Sequence, residues 1–498
     1  MWNDLDLEEI TIDVLQARLA SGAVSAREIA AAYLARIEAV DRSGPTLRSI
    51  IETNPDALEI AEALDRERAG GTLRGPLHGV PVVLKDNIDT GDRMQTTAGS
   101  LALVGAPARQ DAPVASKLRA AGAVILGKAN LSEWANFRST RSSSGWSGRG
   151  RQTRNPFVLD RSPGGSSSGS AASVSANLCV AALGSETDGS IMSPSSACGI
   201  VGIKPTVGLT SRQGVIPISH SQDTVGPHAR TVADAATVLS AIGESGTNYR
   251  DCLDPNGLRG ARIGVARKFH TGYSEHTDRV FESALEVLRE SGAELIDDVE
   301  IPGHAELRAD LAGADEGSEA LVLDFEFKAD LAAYLATRPD AQIRNLADLI
   351  RFNEEHADQE MPYFAQEQLL RAQARGPLTD ELYQRAVAFN AAFARGFAVL
   401  FDERKFNALV APTNAPACVI DLFDGDRRLG GSSKAAAVSG FPLITVPAGF
   451  VRDCLPIGVT FMGPGLSEAT LLKLAFAFEQ ANPVRRPPGY VATTLDFP

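Results

Sequence analysis

Short apolar runs alternate with helical patterns along most of this chain, and that alternation constrains its fold more than any other feature. Residues 79–85 (GVPVVLK) and 123–126 are apolar runs with the length of buried strands, and residues 114–121 between them have helical spacing. Buried strands separated by helices are typical of α/β proteins, in which helices cover a sheet of parallel strands. The sequence therefore predicts an α/β fold built on a largely parallel sheet.

The same rhythm continues on either side of this segment. Near the N-terminus, Ser25 and Glu28 form a capping-box pattern ahead of a helix with one apolar face. Further helices are predicted at residues 55–68, 171–178, 231–242, 277–290 and 468–479. Further strands are predicted at residues 179–183, 263–265, 294–296, 408–410, 443–446 and 458–461.

Residues 306–401 differ from the rest of the chain, because they have helical patterns with charged faces and few strand signals. A chain of 498 residues exceeds the size at which a single core usually stops growing, so length alone favours two or three domains. The alternating pattern nevertheless resumes after residue 401. We therefore predict one domain over residues 1–498, with residues 306–401 as a helical insertion that covers one side of the sheet.

The charge and hydropathy of the chain disfavour two classes of partner. The formal net charge is −14, and no run of Lys or Arg is longer than two residues. Nucleic-acid binding depends on basic patches that displace counterions from phosphates, so no nucleic-acid partner is expected. No apolar run approaches the ~20 residues that span a bilayer, and the acidic N-terminal segment lacks the apolar core of a signal peptide. These features favour a cytoplasmic protein with no membrane partner.

The cysteine and histidine residues show no metal or cofactor pattern. The five cysteines have no CxxC spacing and are interpreted as small buried hydrophobic residues of a reducing compartment. The seven histidines form no HExxH or His-x-His pair. Neither a dinucleotide-binding GxGxxG after a strand nor a phosphate-binding GxxxxGKS/T is present. We expect neither a metal ion nor a cofactor.

Residues 139–175 are rich in serine and glycine, which is the composition of a flexible linker. The segment runs directly into a predicted helix and strand, however, so a glycine-rich loop held against the sheet is the alternative. Within it, residues 165–169 match GxSxG, the nucleophile elbow of α/β-hydrolases, with Ser167 as the central serine. An elbow requires a strand directly before it, whereas the preceding NPFVLDRSPG is typical of a loop.

The strand predicted at residues 79–85 ends on a lysine. Burial of Lys85 would favour its neutral amine, which is able to act as a base, with Asp86 and other acids opposing the shift in pKa. A strand-end lysine whose amine reaches solvent is the alternative. Farther along the chain, Ser190 follows Gly189 in a polar turn. Successive main-chain N–H groups in such a turn are suited to bind an oxyanion.

Three separated segments together resemble the signature of the amidase signature family. They are GVPVVLKDN at residues 79–87, SPGGSSSGSA at 162–171 and GSETDGSIMSPSSACGIVGIKPT at 184–206. Ser166 precedes Ser190 by 24 residues, the family's usual interval. Elements such as TTAGS at 96–100, GKANLSEWANF at 127–137 and SGFPLITVPAGF at 439–450 extend the resemblance over nearly the whole chain. It implies an amidohydrolase with a large mixed, mostly parallel sheet flanked by helices.

The resemblance also implies a role for each residue of the candidate site. Ser190 would be the nucleophile that forms an acyl-enzyme, Ser166 the bridging serine, and Lys85 the base. Ser166 would follow a cis peptide bond from Gly165, and Ser167 would form a hydrogen bond near Lys85. The oxyanion would be bound by the main-chain N–H groups of Thr187, Asp188 and Gly189. No metal ion or cofactor is implied.

The third segment departs from the family's common Thr-Asp-x-Gly-Gly-Ser-Ile-Arg. Glu186 replaces the usual Asp, Asp188 replaces a Gly, and Met192 stands in the position of the Arg. The E-T-D-G-S variant resembles the peptide-amidase branch, which removes C-terminal carboxamides. The expected substrate is a small-to-medium neutral amide, such as a C-terminal amide or an anilide, and the expected state is a monomer or homodimer.

Two alternatives to this function remain. An esterase or carbamate hydrolase would use the same acyl-enzyme chemistry. A glutaminase-type subunit of a tRNA-dependent amidotransferase would need a partner protein and a clamp for a substrate carboxylate, and the helical insertion and acidic balance give it little support. The aromatic residues Trp134 and Phe137 either line the substrate pocket or belong to the core.

Overall fold

The computed structural model describes residues 5–297, 299–307, 309 and 317–496. Within these residues, eleven strands form one sheet. The strands are β1 (Ile50–Thr53), β2 (Pro81–Lys85), β3 (Val124–Ala129), β4 (Ala181–Glu186), β5 (Val201–Lys204), β6 (Thr224–Ala229), β7 (Arg262–Val265), β8 (Glu294–Ile296), β9 (Ala408–Pro412), β10 (Leu443–Val451) and β11 (Leu455–Met462).

The same described residues contain sixteen α-helices. They are α1 (Ile12–Ala20), α2 (Ala26–Arg36), α3 (Ala57–Ala69), α4 (Pro113–Ala120), α5 (Ser168–Ser175), α6 (Met192–Ala197), α7 (Val232–Ile242), α8 (Glu275–Glu290), α9 (His304–Leu307), α10 (Ser318–Ala336), α11 (Leu346–Glu355), α12 (Ala357–Glu360), α13 (Glu367–Gln373), α14 (Glu381–Arg404), α15 (Lys434–Ser439) and α16 (Glu468–Ala481).

The sheet is mixed, with the strand order β1-β3-β2-β4-β6-β5-β10-β11-β9-β7-β8. Strands β3, β2 and β4 are mutually parallel, as are β9, β7 and β8. The other six neighbouring pairs of the described sheet are antiparallel. The predicted α/β fold, a large mixed sheet flanked by helices, is therefore confirmed, but the prediction that most strands are parallel is wrong. Periodicity locates a strand without fixing its direction, and β10 and β11 form a hairpin with no helix between them.

Helices flank the sheet and bury its central strands. Helix α5 contacts β4, helix α6 contacts β5, and the two helices contact each other. Helix α16 contacts α7, α8 and the hairpin β10–β11. Strands β2, β3 and β4 are buried along their whole length, which explains why each is a short run with little polar alternation. The largest apolar cluster joins these strands to the helices, and its members include Val82, Ile125, Leu183, Leu239 and Leu472.

The serine- and glycine-rich segment is part of the folded core. Helix α5 begins at Ser168, three residues before the predicted helix, and β4 starts at Ala181 rather than at residue 179. The side chains of Ser166, Ser167 and Ser170 are fully buried. The linker interpretation is therefore wrong, and the glycine-rich loop held against the sheet is confirmed.

The N-terminal capping box is confirmed as well. The Ser25 hydroxyl accepts a hydrogen bond from the Glu28 N–H, and the Ser25 N–H donates to the Glu28 carboxylate at 2.9 Å. Helix α2 starts at this cap and continues directly into a π-helical turn, Ile37–Arg42. The sequence thus specifies where this helix begins through side-chain hydrogen bonds to its free N–H groups.

The described part of residues 306–401 contains helices and no strand. Helix α10 packs against α13 and α14, and its Phe327 ring lies 4.8 Å from the ring of Phe137. Trp134 is buried in the same apolar cluster. Trp134 and Phe137 therefore belong to the core that joins the helical segment to the rest of the chain.

The five cysteines form no disulfide, and Cys179, Cys198 and Cys454 are buried as expected, whereas Cys252 and Cys418 are half-buried. Among the described helices, none is both long and apolar enough to cross a bilayer.

Close packing of β6 on β5 gives a stability prediction. A Cβ atom added at Gly226 would lie 1.9 Å from the Ile203 carbonyl oxygen, so Gly226→Ala requires the backbone to shift. We expect a loss of about 1–3 kcal/mol in the free energy of unfolding. Gly396, in the interior of α14, has no atom within 4 Å of such a Cβ, so Gly396→Ala should stabilise the protein by about 0.5–1 kcal/mol. Denaturant unfolding of both variants measures these two free energies of unfolding. Equal changes in the two variants would contradict the prediction.

Candidate active site

Lys85 closes strand β2 and is fully buried. Its ammonium nitrogen donates to Ser166 Oγ at 2.8 Å, to Ser185 Oγ at 3.0 Å and to the Ser185 carbonyl at 3.2 Å. Asn87, two residues farther along, donates to the same Ser185 hydroxyl at 2.9 Å. The lysine therefore does not reach solvent, and three oxygen atoms hold its nitrogen in place.

Burial lowers the pKa of Lys85 to about 7, because the interior disfavours the charged ammonium. The carboxylates of Asp223 and Glu186 oppose this shift. The expectation that Asp86 would do so is wrong. Asp86 lies after the end of β2, where its carboxylate accepts hydrogen bonds from the Thr97 hydroxyl and the Gly99 N–H. The result is a lysine with a substantial neutral fraction at neutral pH.

Ser166 reaches Lys85 from the glycine-rich loop. The peptide bond between Gly165 and Ser166 is cis, as the family resemblance implies. Gly165 has no room for a side chain, since a Cβ atom there would lie 2.4 Å from Ser132 Oγ. The Ser166 carbonyl accepts a hydrogen bond from the Ser132 N–H at 3.1 Å. Contacts on both sides of the cis bond thus fix the direction of the Ser166 side chain.

Ser167 acts on Lys85 through a shared partner. Its hydroxyl donates to the Ser185 carbonyl at 3.0 Å, the same oxygen that accepts from Lys85. The Ser167 N–H donates to the Ser190 carbonyl at 3.1 Å and so links the glycine-rich loop to the turn after β4. No described strand directly precedes Ser167, so this segment does not have the strand–turn–helix form of a nucleophile elbow.

The turn that carries Ser190 connects β4 to α6. Gly189 has φ of +77°, and a Cβ atom there would lie 2.9 Å from Ser433 Oγ, so both conformation and space favour glycine. The Glu186 carboxylate accepts from the N–H groups of Ile191 at 2.6 Å and Met192 at 2.9 Å. Glu186 thus caps the start of α6 and holds both ends of the turn.

Side chains outside the turn hold its remaining residues. Thr187 Oγ1 donates to the Asp223 carboxylate at 2.6 Å, and Gln222 Nε2 donates to the Thr187 carbonyl at 3.3 Å. The Asp188 carboxylate accepts from the Ser433 hydroxyl. Among the described residues, the main-chain N–H groups of Thr187, Asp188 and Gly189 donate to no protein acceptor. Three successive donors are therefore free in a turn of fixed conformation.

An open cavity of about 350 Å³ borders this turn and the glycine-rich loop. Ser190 itself is nearly buried, with 7% of its surface exposed. Residues that line the cavity include Gly165, Asp188, Gly189, Met192 and Ser193. Residues 413–418, 426–431, 433 and 434 also line the cavity. A small ligand in the cavity would therefore lie against the loops that carry Ser166 and Ser190.

Four residues support this site without a role that the sequence predicts: Ser185, Glu186, Gln222 and Asp223. In the sequence Glu186 stands out only as a departure from the family pattern, because it lies outside the N-cap position of α6, which is Ile191. Ser185 contacts Lys85 only because β2 and β4 pair in parallel, with Leu84 opposite Leu183. Such a register is not visible in one sequence.

One cluster of potential metal ligands is present in the described part of the chain. His220, Glu326 and Asp330 have ligand atoms within 4.8 Å of one another. His220 Nδ1 lies 3.0 Å from an Asp330 oxygen and Nε2 lies 3.2 Å from a Glu326 oxygen, while Tyr383 also donates to Glu326 at 2.8 Å. Ion pairing accounts for this cluster, which ties residues 218–223 to α10. The expected absence of a metal cofactor stays a prediction.

Comparison with known proteins identifies the family. The family model described as Amidase matches residues 28–472. The chain belongs to the amidase signature family. A probable amidase of Arabidopsis thaliana is 42% identical over 98% of this chain and 92% of its own length. A glutamyl-tRNA(Gln) amidotransferase subunit of Moorella thermoacetica is 34% identical, over 97% of this chain and 98% of its own length.

The solved structures point to one branch of the family. The peptide amidase from Stenotrophomonas maltophilia is 46% identical to this chain and superposes with a TM-score of 0.91, covering 98% of this chain and 99% of its own. The resemblance drawn from the sequence is therefore confirmed, including its peptide-amidase-like character. This member of the family is an amide-cleaving hydrolase.

The buried position of Lys85 gives a prediction about its titration. NMR of protein labelled at lysine Cε should show a Lys85 resonance with a midpoint near pH 7, because burial lowers its pKa to about 7. Lys85→Met should remove that resonance and leave the resonance of Lys204, whose pKa burial lowers to about 8. An ordinary lysine titrates near 10.4. Asp223→Asn should move the midpoint lower, because the Asp223 carboxylate stabilises the ammonium. A midpoint above about 9 would mean that the amine is solvated.

Proposed function

We propose that this amidase cleaves the C–N bond of small-to-medium neutral amides, such as C-terminal carboxamides or anilides, through an acyl-enzyme on Ser190. Support comes from the peptide amidase of Stenotrophomonas maltophilia, which is 46% identical over almost the whole chain. The observation that carries the proposal is the 2.8 Å contact between the buried Lys85 amine and Ser166 Oγ. A buried amine with a lowered pKa is a suitable base for a serine relay.

The first half of the reaction forms the acyl-enzyme. Neutral Lys85 takes the proton of the Ser166 hydroxyl, and Ser166 takes the proton of Ser190, whose Oγ attacks the substrate carbonyl carbon. The resulting oxyanion accepts hydrogen bonds from the free N–H groups of Thr187, Asp188 and Gly189. The proton then returns along the same relay to the leaving nitrogen, the C–N bond breaks, and the amine departs.

The second half of the reaction repeats the relay with water. Lys85 again accepts a proton through Ser166, this time from a water molecule that attacks the ester carbonyl on Ser190. Collapse of the second tetrahedral intermediate returns the proton to Ser190 and releases the carboxylic acid. The relay occupies the role that histidine has in a Ser-His-Asp triad, and no step requires a metal ion or cofactor.

Ser167, Ser185 and Glu186 serve this relay as positioning residues. Ser167 and Ser185 orient the Lys85 nitrogen through the shared Ser185 carbonyl. Glu186 fixes the turn that presents Ser190 to Ser166. Backbone donors need no particular side chain, so Asp188 in place of the usual glycine is compatible with an oxyanion hole.

Esters and carbamates are alternative substrates for the same site, since the acyl-enzyme step requires only a carbonyl with a leaving group. The amidotransferase function is less well supported, because the relative with that name is 34% identical while the probable amidase is 42% identical. We infer a small-molecule substrate and activity of the isolated chain as a monomer or homodimer. A preparation that is inactive alone and gains activity with a partner would favour the amidotransferase function.

The nucleophile assignment predicts that Ser190→Ala lowers kcat/KM for a peptide amide by at least about a thousandfold, since the covalent step is lost. Thermal stability should be nearly unchanged, because one hydroxyl is removed without a change in packing. A fluorophosphonate should label the wild type and not this variant, as read by intact-protein mass spectrometry.

Ser193→Ala is the matched control for labelling. Ser193 lines the same cavity only three residues away, so this variant should be labelled like the wild type. Label found on Ser167 in the digested protein would instead restore the nucleophile-elbow interpretation.

A further inference from the structure

Residues 421–433 form a strap across one wall of the active-site cavity. The strap is anchored at its centre, where the Asp426 carboxylate accepts from the Ser144 N–H at 3.1 Å. Gly425, with φ of +79°, passes so close to the main chain that a Cβ atom there would lie 2.5 Å from the Arg141 carbonyl oxygen. A bridge between Asn414 and Gly431 fixes its far end. The strap is therefore held in place, and Arg427, Arg428 and Leu429 of the strap line the cavity.

Two consecutive arginines of the strap, Arg427 and Arg428, line the cavity that also borders Gly165 and Gly189. Both are exposed, and neither guanidinium forms a hydrogen bond or ion pair with the described residues. The chain as a whole carries a formal net charge of −14. This pair of unpaired cations on the cavity wall is therefore opposite in sign to the net charge of the protein.

The other charged groups of the cavity are already engaged. Asp188 accepts from Ser433, and Asp426 accepts from the Ser144 N–H. Lys434 forms an ion pair with Glu319 of α10 at 2.6 Å. The cavity thus contains two acids with hydrogen-bond donors, one paired lysine and two guanidiniums that remain available to a ligand.

The field of one guanidinium reaches the wall of the cavity. Burial and the Asp426 carboxylate raise the pKa of the Cys418 thiol to about 11, and the Arg428 guanidinium acts in the opposite direction. Cys418 lies on the same wall. The Arg428 guanidinium therefore acts electrostatically on Cys418, a side chain that lines the cavity.

We propose that Arg427 and Arg428 determine substrate specificity by binding a carboxylate on the acyl portion of the substrate. This inference rests on the proposed function, because it requires the cavity to bind the acyl group that Ser190 receives. A planar guanidinium pairs with a carboxylate through two parallel hydrogen bonds. The preferred substrates are thus amides whose acyl portion carries a carboxylate, a class that extends beyond the neutral amides of the proposed function, while the scissile carboxamide itself is uncharged.

The size of the cavity limits where that carboxylate lies. A volume of about 350 Å³ is at the lower end of the range for small-molecule sites, roughly 300–1,000 Å³. It fits one amino-acid residue better than a long peptide. The acidic group therefore belongs to the residue whose carboxamide is cleaved, as in an acidic amino-acid amide with a blocked amine.

The test compares two substrates of similar length that differ in charge, N-acetylglutamic acid α-amide and N-acetylmethionine amide, by ammonia release. In Arg427→Gln/Arg428→Gln, the ratio of kcat/KM for the acidic over the neutral amide should fall about three- to tenfold, the size expected for two exposed ion pairs. Raising the ionic strength should lower the ratio in the wild type and not in this variant.

Two control variants accompany the test. Arg385→Gln/Arg395→Gln removes two exposed charges from α14, outside the cavity lining, and should leave the ratio at the wild-type value. Arg427→Lys/Arg428→Lys keeps both charges and should restore most of the preference.

Each outcome separates the two levels of the proposal. A ratio that is unchanged in Arg427→Gln/Arg428→Gln, or that falls equally in the α14 control, overturns the specificity role while ammonia release still supports the amidase function. A wild type that cleaves only the neutral amide also overturns it. Ammonia release from neither amide would contradict the proposed function, and with it this inference.

Discussion

The structure depends on a lysine that is kept out of water. Lys85 ends β2 between two parallel neighbours, β3 and β4, so its side chain leaves the sheet inside the protein and not at an edge. The cost of burying a charge is reduced when the amine becomes neutral. Polar contacts from the glycine-rich loop and from β4 satisfy the nitrogen, and the turn that carries Ser190 continues directly from β4. Three distant segments of the chain therefore meet at one desolvated amine.

The sequence was sufficient for much of this arrangement. The apolar run GVPVVLK predicts a buried strand that ends on a lysine, because a strand buried on both faces has no alternation of apolar and polar residues. The three signature segments were recognisable by composition and spacing. The proposed relay residues are therefore identifiable from the sequence alone, and their roles in catalysis are proposals.

Other parts of the site depend on pairing that a single sequence does not show. A helical pattern between strands suggests a parallel crossover, whereas β5, β6, β10 and β11 pair antiparallel. Asp86 is the acid next to Lys85 in the chain, yet the acids that affect the pKa of Lys85 are Asp223 and Glu186. Register and topology, rather than neighbourhood in sequence, set the electrostatics of the amine.

The site also divides between regular secondary structure and loops. The proposed relay lies at the ends of β2 and β4 and beside α5, which are packed within the sheet and its helices, while the cavity wall comes from loops. Loops on a rigid scaffold are where substrate specificity is commonly placed. The strap with Arg427 and Arg428 fits this division, because its side chains can differ without disturbing Lys85.

The most direct test of this account is the pH dependence of kcat/KM for a neutral peptide amide in the wild type and in each histidine variant. The account predicts a rate that rises as the pH passes through about 7, the pKa at which burial leaves Lys85, because only the neutral amine accepts a proton. Lys85→Ala should abolish most activity together with this rise, and Lys85→Arg should not restore either, since a guanidinium stays protonated. A rise that persists in Lys85→Ala and disappears in one histidine variant would contradict the account.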